Sequence, residues 1–116
     1  MIKIYHNPRC RKSRAGLEYL KEKGFEPVVC EYLKNPLTKT EFSVLLQKLN
    51  KQPSELVRTQ EDYFKKNLKG KQFNEDEWLQ ILIETPSLIQ RPIVERGHKA
   101  VIGDPVEEIE GLIGAK

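Results

Sequence analysis

Met1-Ile2-Lys3-Ile4-Tyr5-His6-Asn7-Pro8-Arg9-Cys10-Arg11-Lys12-Ser13-Arg14 opens the chain. Ile2 and Ile4 alternate with Lys3, the period of a half-buried strand. Asn7-Pro8 interrupts that strand. A helix is predicted from about Arg11 to Lys23, with Ala15, Leu17, Tyr19 and Leu20 as its apolar positions. Gly24 follows as the left-handed residue that commonly ends a helix. Within Pro27 to Leu33, Val28-Val29-Cys30-Glu31-Tyr32 reads as a second strand, with Cys30 alternating with Val28 and Tyr32 on a core face. Strand, helix and strand within about thirty residues form a βαβ unit, which implies a parallel pair joined by a right-handed crossover.

Beyond this unit the chain turns helical. Thr38 and Glu41 have capping-box spacing, and Phe42, Leu45, Leu46 and Leu49 keep the i, i+3, i+4, i+7 pattern of a buried stripe. Pro53-Ser54-Glu55-Leu56 begins a short second helix. Tyr63 to Lys71 is a basic stretch, and Gly70 suggests a loop. Asn74 and Glu77 repeat the capping box ahead of Trp78, Leu79, Ile81, Leu82 and Ile83, a helix stopped before Pro86. Strands return at Pro92-Ile93-Val94-Glu95 and Lys99-Ala100-Val101-Ile102, around the turn Arg96-Gly97-His98. Asp104, Pro105 and Glu107 then read as N-cap, first helical residue and capping acid of a last helix, with Val106, Ile109, Leu112 and Ile113 buried. The order is β-α-β, a helical block over about 37–86, then β-β-α. The fold class is α/β, with a thioredoxin-like β-α-β / β-β-α sheet, a helical insertion between the halves, and one domain over residues 1–116.

Composition narrows the function. The 116 residues are 38% hydrophobic and 32% charged, the balance of a globular domain with one modest core. Lys+Arg 20 against Asp+Glu 17 leaves a net +3, too small an excess for a nucleic-acid-binding module or a polybasic membrane anchor. No apolar run approaches the roughly 18 residues that cross a bilayer, and the first residues lack a signal-peptide core. A cytoplasmic location is therefore expected, where thiols stay reduced and Cys10 and Cys30 form no structural disulfide.

Cys10 sits where a strand gives way to a helix. In a parallel α/β layer that loop lies at the carboxyl end of the strands, where ligands bind. The helix start offers unpaired N–H groups and the positive end of the macrodipole. Arg9, Arg11, Lys12 and Arg14 add charge, and no acid precedes Glu18. Cysteines so placed have their pKa lowered from about 8.5 into the range of about 3.5–7.5, so Cys10 is predicted to be a reactive thiolate. Arg11, Ser13 and His6 are the candidates for tuning it. Ser13 makes the motif Cys-x-x-Ser, which has no local partner thiol; its hydroxyl either hydrogen-bonds the thiolate or caps the helix. His6 either tunes the thiol or holds the loop. A metal site built from Cys10, Cys30, His6 and His98 lacks the paired spacing of zinc motifs, and none is expected.

Tyr5 to Ser13, Glu31-Tyr32-Leu33-Lys34-Asn35-Pro36 and Leu88-Ile89-Gln90-Arg91-Pro92-Ile93-Val94 together resemble the glutaredoxin-coupled arsenate reductase family and its Spx-like relatives. The resemblance extends to about Leu112. It implies a thioredoxin-like fold with a helical insertion and a Cys10 thiolate that attacks arsenate or a similar oxyanion. Glutathione would be the co-substrate, glutaredoxin would resolve the mixed species, and no bound cofactor is implied. Arg91 and Arg58 fall where the family places oxyanion-binding arginines, and Pro92 where it has a cis-proline beside the thiol. Gly103-Asp104-Pro105 departs from the family's Gly-Arg-Pro, so an acid stands in place of a third guanidinium, with Lys99 or Arg96 as possible substitutes. The alternatives are an Spx-like regulator that binds RNA polymerase, against which Ser13 counts, or a glutathione-dependent thiol oxidoreductase with another substrate. A monomer with no nucleic-acid or membrane partner is expected.

Overall fold

A computed structural model describes residues 1–114, which fall into two compact units, one of 1–35 with 91–114 and one of Pro36–Gln90. The first unit is a four-stranded sheet with two helices: β1 (Ile2–Tyr5), α1 (Arg11–Glu22), β2 (Val28–Cys30), β3 (Ile93–Arg96), β4 (Lys99–Ile102) and the last helix (Glu107–Ile113). The strand order is β2-β1-β3-β4. β1 and β2 are parallel, with Tyr5 opposite Cys30, and β3 runs antiparallel to both β1 and β4. Element for element, this is the β-α-β then β-β-α order read from the sequence.

The pleat explains the core. Ile4 and Val94 are register partners, so they emerge on the same face as Ile2. Leu20 from α1 and Ile109 and Ile113 from the last helix join them to form the buried cluster. Full burial of each such side chain is worth about 1.5–3 kcal/mol. The far ends of the two helices are also tied together. The Tyr19 hydroxyl donates to Glu110, and Lys23 Nζ stands 3.7 Å from the same carboxylate.

Three expectations change here. β2 spans only three residues and forms an edge of the sheet, leaving Val28 and Val29 exposed and Cys30 half-buried rather than in the core. The chain then turns at once, with the Lys34 and Asn35 N–H groups donating to the Glu31 carbonyl. In α1, Gly16 is buried while Ala15 is exposed. The last helix begins at Glu107 with Val106 as its N-cap, so Asp104 does not cap it. The Asp104 carboxylate is paired instead with Lys12 Nζ at 3.1 Å.

The second unit contains the segment expected as an insertion. Its helices are α2 (Lys39–Leu49) and α3 (Glu75–Glu84). Both predicted capping boxes form. The Glu41 N–H donates to Thr38 Oγ1 at 3.1 Å, and the Glu77 N–H donates to Asn74 Oδ1 at 2.8 Å. Pro53–Leu56 is one 3-10 turn, and the basic stretch contains a π-helical turn over Phe64–Leu68. The extended residues around Val57 and Ile89 bridge antiparallel, with the Arg58 N–H donating to the Leu88 carbonyl at 2.7 Å. With the last helix of the first unit named α4, the element set is complete.

Candidate active site

The loop between β1 and α1 is held by its own polar groups. The Cys10 N–H donates to the Asn7 carbonyl at 3.0 Å, and the Arg9 N–H donates to Asn7 Oδ1 at 3.0 Å. Arg14 Nη1 reaches back to the Pro8 carbonyl at 2.9 Å. Ser13 is fully buried, and its Oγ accepts the Asn7 N–H at 3.2 Å. His6 is nearly fully buried as well, with its main-chain N–H bonded to the Cys30 carbonyl at 2.8 Å. These contacts fix Cys10 as the N-cap of α1.

Cys10 has extended backbone dihedrals, and the first turn of the helix directs main-chain N–H groups at its sulfur. Burial pushes the Cys10 thiol up. Against that, the Ser13 main chain, the Arg91 side chain and the Lys12 main chain hydrogen-bond the sulfur, and the Arg91 charge adds to them, so the thiol lies below its ordinary value. Ser13 therefore contributes its main chain to the sulfur, while its hydroxyl holds the loop. Arg11 is exposed on the first turn of α1.

Arg91 arrives from the other end of the chain. Because Tyr5 pairs with Ile93 in the antiparallel β1–β3 ladder, the residues just before Ile93 lie at the same sheet edge as the loop after Tyr5. Arg91 is buried there and joined to Pro92 by a cis peptide bond. Two glycines hold Pro92 in place. A Cβ on Gly16 would lie 2.8 Å from Pro92 Cγ, and one on Gly103 would lie 3.2 Å from it. The Gly103 N–H also donates to the Pro92 carbonyl at 2.8 Å. Gly103 belongs to the Gly103-Asp104-Pro105 motif, whereas no motif marks Gly16; a glycine inside a helix, costing about 1 kcal/mol against alanine, is itself a sign of close packing.

Burial lowers the pKa of His6. Glu31 opposes that shift, Arg14 and Lys21 reinforce it, and a hydrogen bond with the Ser13 main chain opposes it, leaving the imidazole below its ordinary value. Arg58 belongs to the second unit, where its Nη1 is 3.2 Å from Glu61 Oε2. The cations expected to replace a third guanidinium are elsewhere. Arg96 pairs with Ile2 and Lys99 with Arg96, at the end of the sheet where β1 begins. The Arg96 guanidinium lies over the Phe25 ring, 5.4 Å from its centroid. No group of three or more His, Cys, Asp or Glu side chains able to hold a metal occurs among the described residues.

A sequence model of the ArsC family matches residues 5–112. The chain belongs to the ArsC family. It is 37% identical over 114 residues to an arsenate reductase of Neisseria meningitidis, with 97% of each chain covered. It is 42% identical over 115 residues to the uncharacterized protein YfgD of Escherichia coli, again with 97% of each chain covered. Among solved structures, an arsenate reductase from Vibrio cholerae superimposes with a TM-score of 0.89 at 34% identity, covering 97% of each chain. The α/β, thioredoxin-like fold is thus that of the ArsC family, and its members include enzymes named for arsenate reduction. No helix among the described residues is long and apolar enough to cross a membrane.

Proposed function

We propose that this chain reduces arsenate to arsenite through the Cys10 thiolate, with glutathione as co-substrate and glutaredoxin as the protein that returns the cysteine to its thiol. The carrying observation is the convergence of the Ser13 and Lys12 main chains and the Arg91 side chain on the Cys10 sulfur. These groups stabilise negative charge, and a tetrahedral oxyanion suits a helix start with a guanidinium beside it. The same donors favour the thiolate needed as nucleophile.

The Cys10 sulfur attacks arsenic, forming an S–As bond, and one arsenate oxygen leaves as water after protonation. The glutathione thiol then attacks the adduct. Its sulfur and that of Cys10 are oxidised to a mixed disulfide, and the two electrons reduce As(V) to As(III), which departs as arsenite. Ser13 provides no second thiol within the motif, so a thiol from outside must attack the mixed disulfide, freeing the Cys10 thiolate and taking up glutathione as a new mixed disulfide. Glutaredoxin fills that role in this proposal, and the reaction belongs to the reduced cytoplasm.

The test follows NADPH oxidation with arsenate, glutathione, glutaredoxin and glutathione reductase. Wild type should sustain arsenate-dependent turnover, and Cys10→Ser should abolish it. Turnover that is independent of Cys10 or of arsenate rejects the proposal. Cys10-dependent turnover of another oxidised substrate would assign a different thiol oxidoreductase.

A further inference from the structure

We propose that Asp104, held by Lys12, is a specificity-determining residue that makes the Cys10 site favour singly charged oxyanions over doubly charged ones. The inference rests on the oxyanion reading of Cys10. Lys12 has two separate engagements. Its main chain hydrogen-bonds the Cys10 sulfur, while its ammonium lies 3.1 Å from Asp104 Oδ2. One cation of the first turn of α1, beside Arg9 and Arg11 on either side of Cys10, is therefore paired with a carboxylate.

The position of Asp104 is set by the fold. It follows Gly103, whose N–H is bonded to the Pro92 carbonyl and whose Cα packs against Pro92 and Ile109. Pro92 in turn follows Arg91, which reaches the Cys10 sulfur. The chain that brings Arg91 to the sulfur thus also brings a negative charge to the first turn of α1. Arg14 is directed to the Pro8 carbonyl, and Arg96 and Lys99 stand at the other end of the sheet. The cationic side chain on the sulfur is Arg91.

Coulomb energy is linear in the charge of the bound anion. A carboxylate held against Lys12 of the first turn of α1 therefore opposes a dianion with twice the energy it exerts on a monoanion of equal shape. Arsenate exists near neutrality as both species, and Asp104 favours its monoanion. Both partners are half-exposed, so solvent and salt screen the effect and a modest factor is expected.

Sulfate and perchlorate are tetrahedral anions that differ in charge, and each can be tested for protection of Cys10 against the neutral reagent iodoacetamide, with modification located by peptide mass at low ionic strength. Asp104→Asn should tighten protection by perchlorate about two- to threefold and by sulfate about four- to ninefold, the square expected for doubled charge. Lys12→Gln with Asp104→Asn should return sulfate protection to near wild type, because equal and opposite charges are removed. Equal sulfate protection of wild type and Asp104→Asn overturns the role of Asp104 and leaves the oxyanion reading standing. Equal gains for the two anions overturn the charge selectivity. Sulfate protection of neither protein overturns both.

Discussion

Gly16 and Pro92 meet so closely that a methyl group on Gly16 would lie 2.8 Å from Pro92 Cγ. The contact joins the middle of α1 to the residue that follows Arg91, and it couples core packing to the geometry at Cys10. Gly16→Ala should therefore destabilise the protein, although alanine is the better helix former by about 1 kcal/mol. Overpacking against a rigid ring costs about 1–3 kcal/mol and outweighs that gain. Urea denaturation measures the sum, and a more stable Gly16→Ala variant would contradict the close packing. The variant should also slow Cys10 alkylation, because Pro92 cannot move without Arg91.

Arg91 acts on the sulfur both by hydrogen bond and by charge. In Arg91→Ala, the pH profile of Cys10 alkylation should move to higher pH, since a cation that favours thiolate is gone. Arg91→Lys restores charge without the planar fork and should recover part of the shift. Loss of one charge-assisted hydrogen bond should weaken anion protection of Cys10 by about ten- to a hundredfold. An unchanged pH profile in Arg91→Ala would remove Arg91 from the site.

Ser13→Ala separates the two engagements of that residue. Its hydroxyl accepts the buried Asn7 N–H, and removing it leaves that donor unpaired at a cost of about 1–3 kcal/mol. The main chain on the Cys10 sulfur is retained. Chemical denaturation should report the full loss, while the pH profile of alkylation should move little. A large shift of that profile with unchanged stability would reverse the assignment.

His6 should make stability fall on acidification. Its native pKa is depressed, first by burial, below the ordinary 6.5. As pH drops through 6.5, the unfolded chain takes up a proton that the native imidazole resists, so stability declines until the native pKa is passed. Above 6.5 both states are neutral and the contribution is fully present. Urea midpoints measured across this range for wild type and His6→Gln should show the acid-dependent component shrink in the variant. Parallel profiles would deny His6 that role.

Much of the architecture was legible where the cause is local. Ile2 and Ile4 in β1, Thr38 with Glu41, Asn74 with Glu77, and Gly24 at φ +90 each report on neighbours a few residues away. The helix entrance at Cys10 was legible for the same reason, because a strand, an Asn-Pro break and a helical pattern follow one another directly. Alternation in Val28 to Tyr32 was a weaker guide. Period-two spacing identifies a strand but not its place in the sheet, and at an edge its residues remain open to solvent. The start of α4 was displaced as well: the helix begins at Glu107 with Val106 as its N-cap, and the Asp104 carboxylate pairs with Lys12, a residue remote in sequence.

By itself the sequence determined the order of elements, the family resemblance and the cysteine at a helix start, all of which depend on short-range spacing and on motifs. Only the tertiary structure decided what surrounds that cysteine. Arg91 reaches the Cys10 sulfur because Ile93 pairs with Tyr5, and Pro92 holds its place because Gly16 and Gly103 lack side chains. Lys12 is paired with Asp104, in the segment that follows β4. Strand register and close packing join residues distant along the chain, and no local propensity encodes those distances.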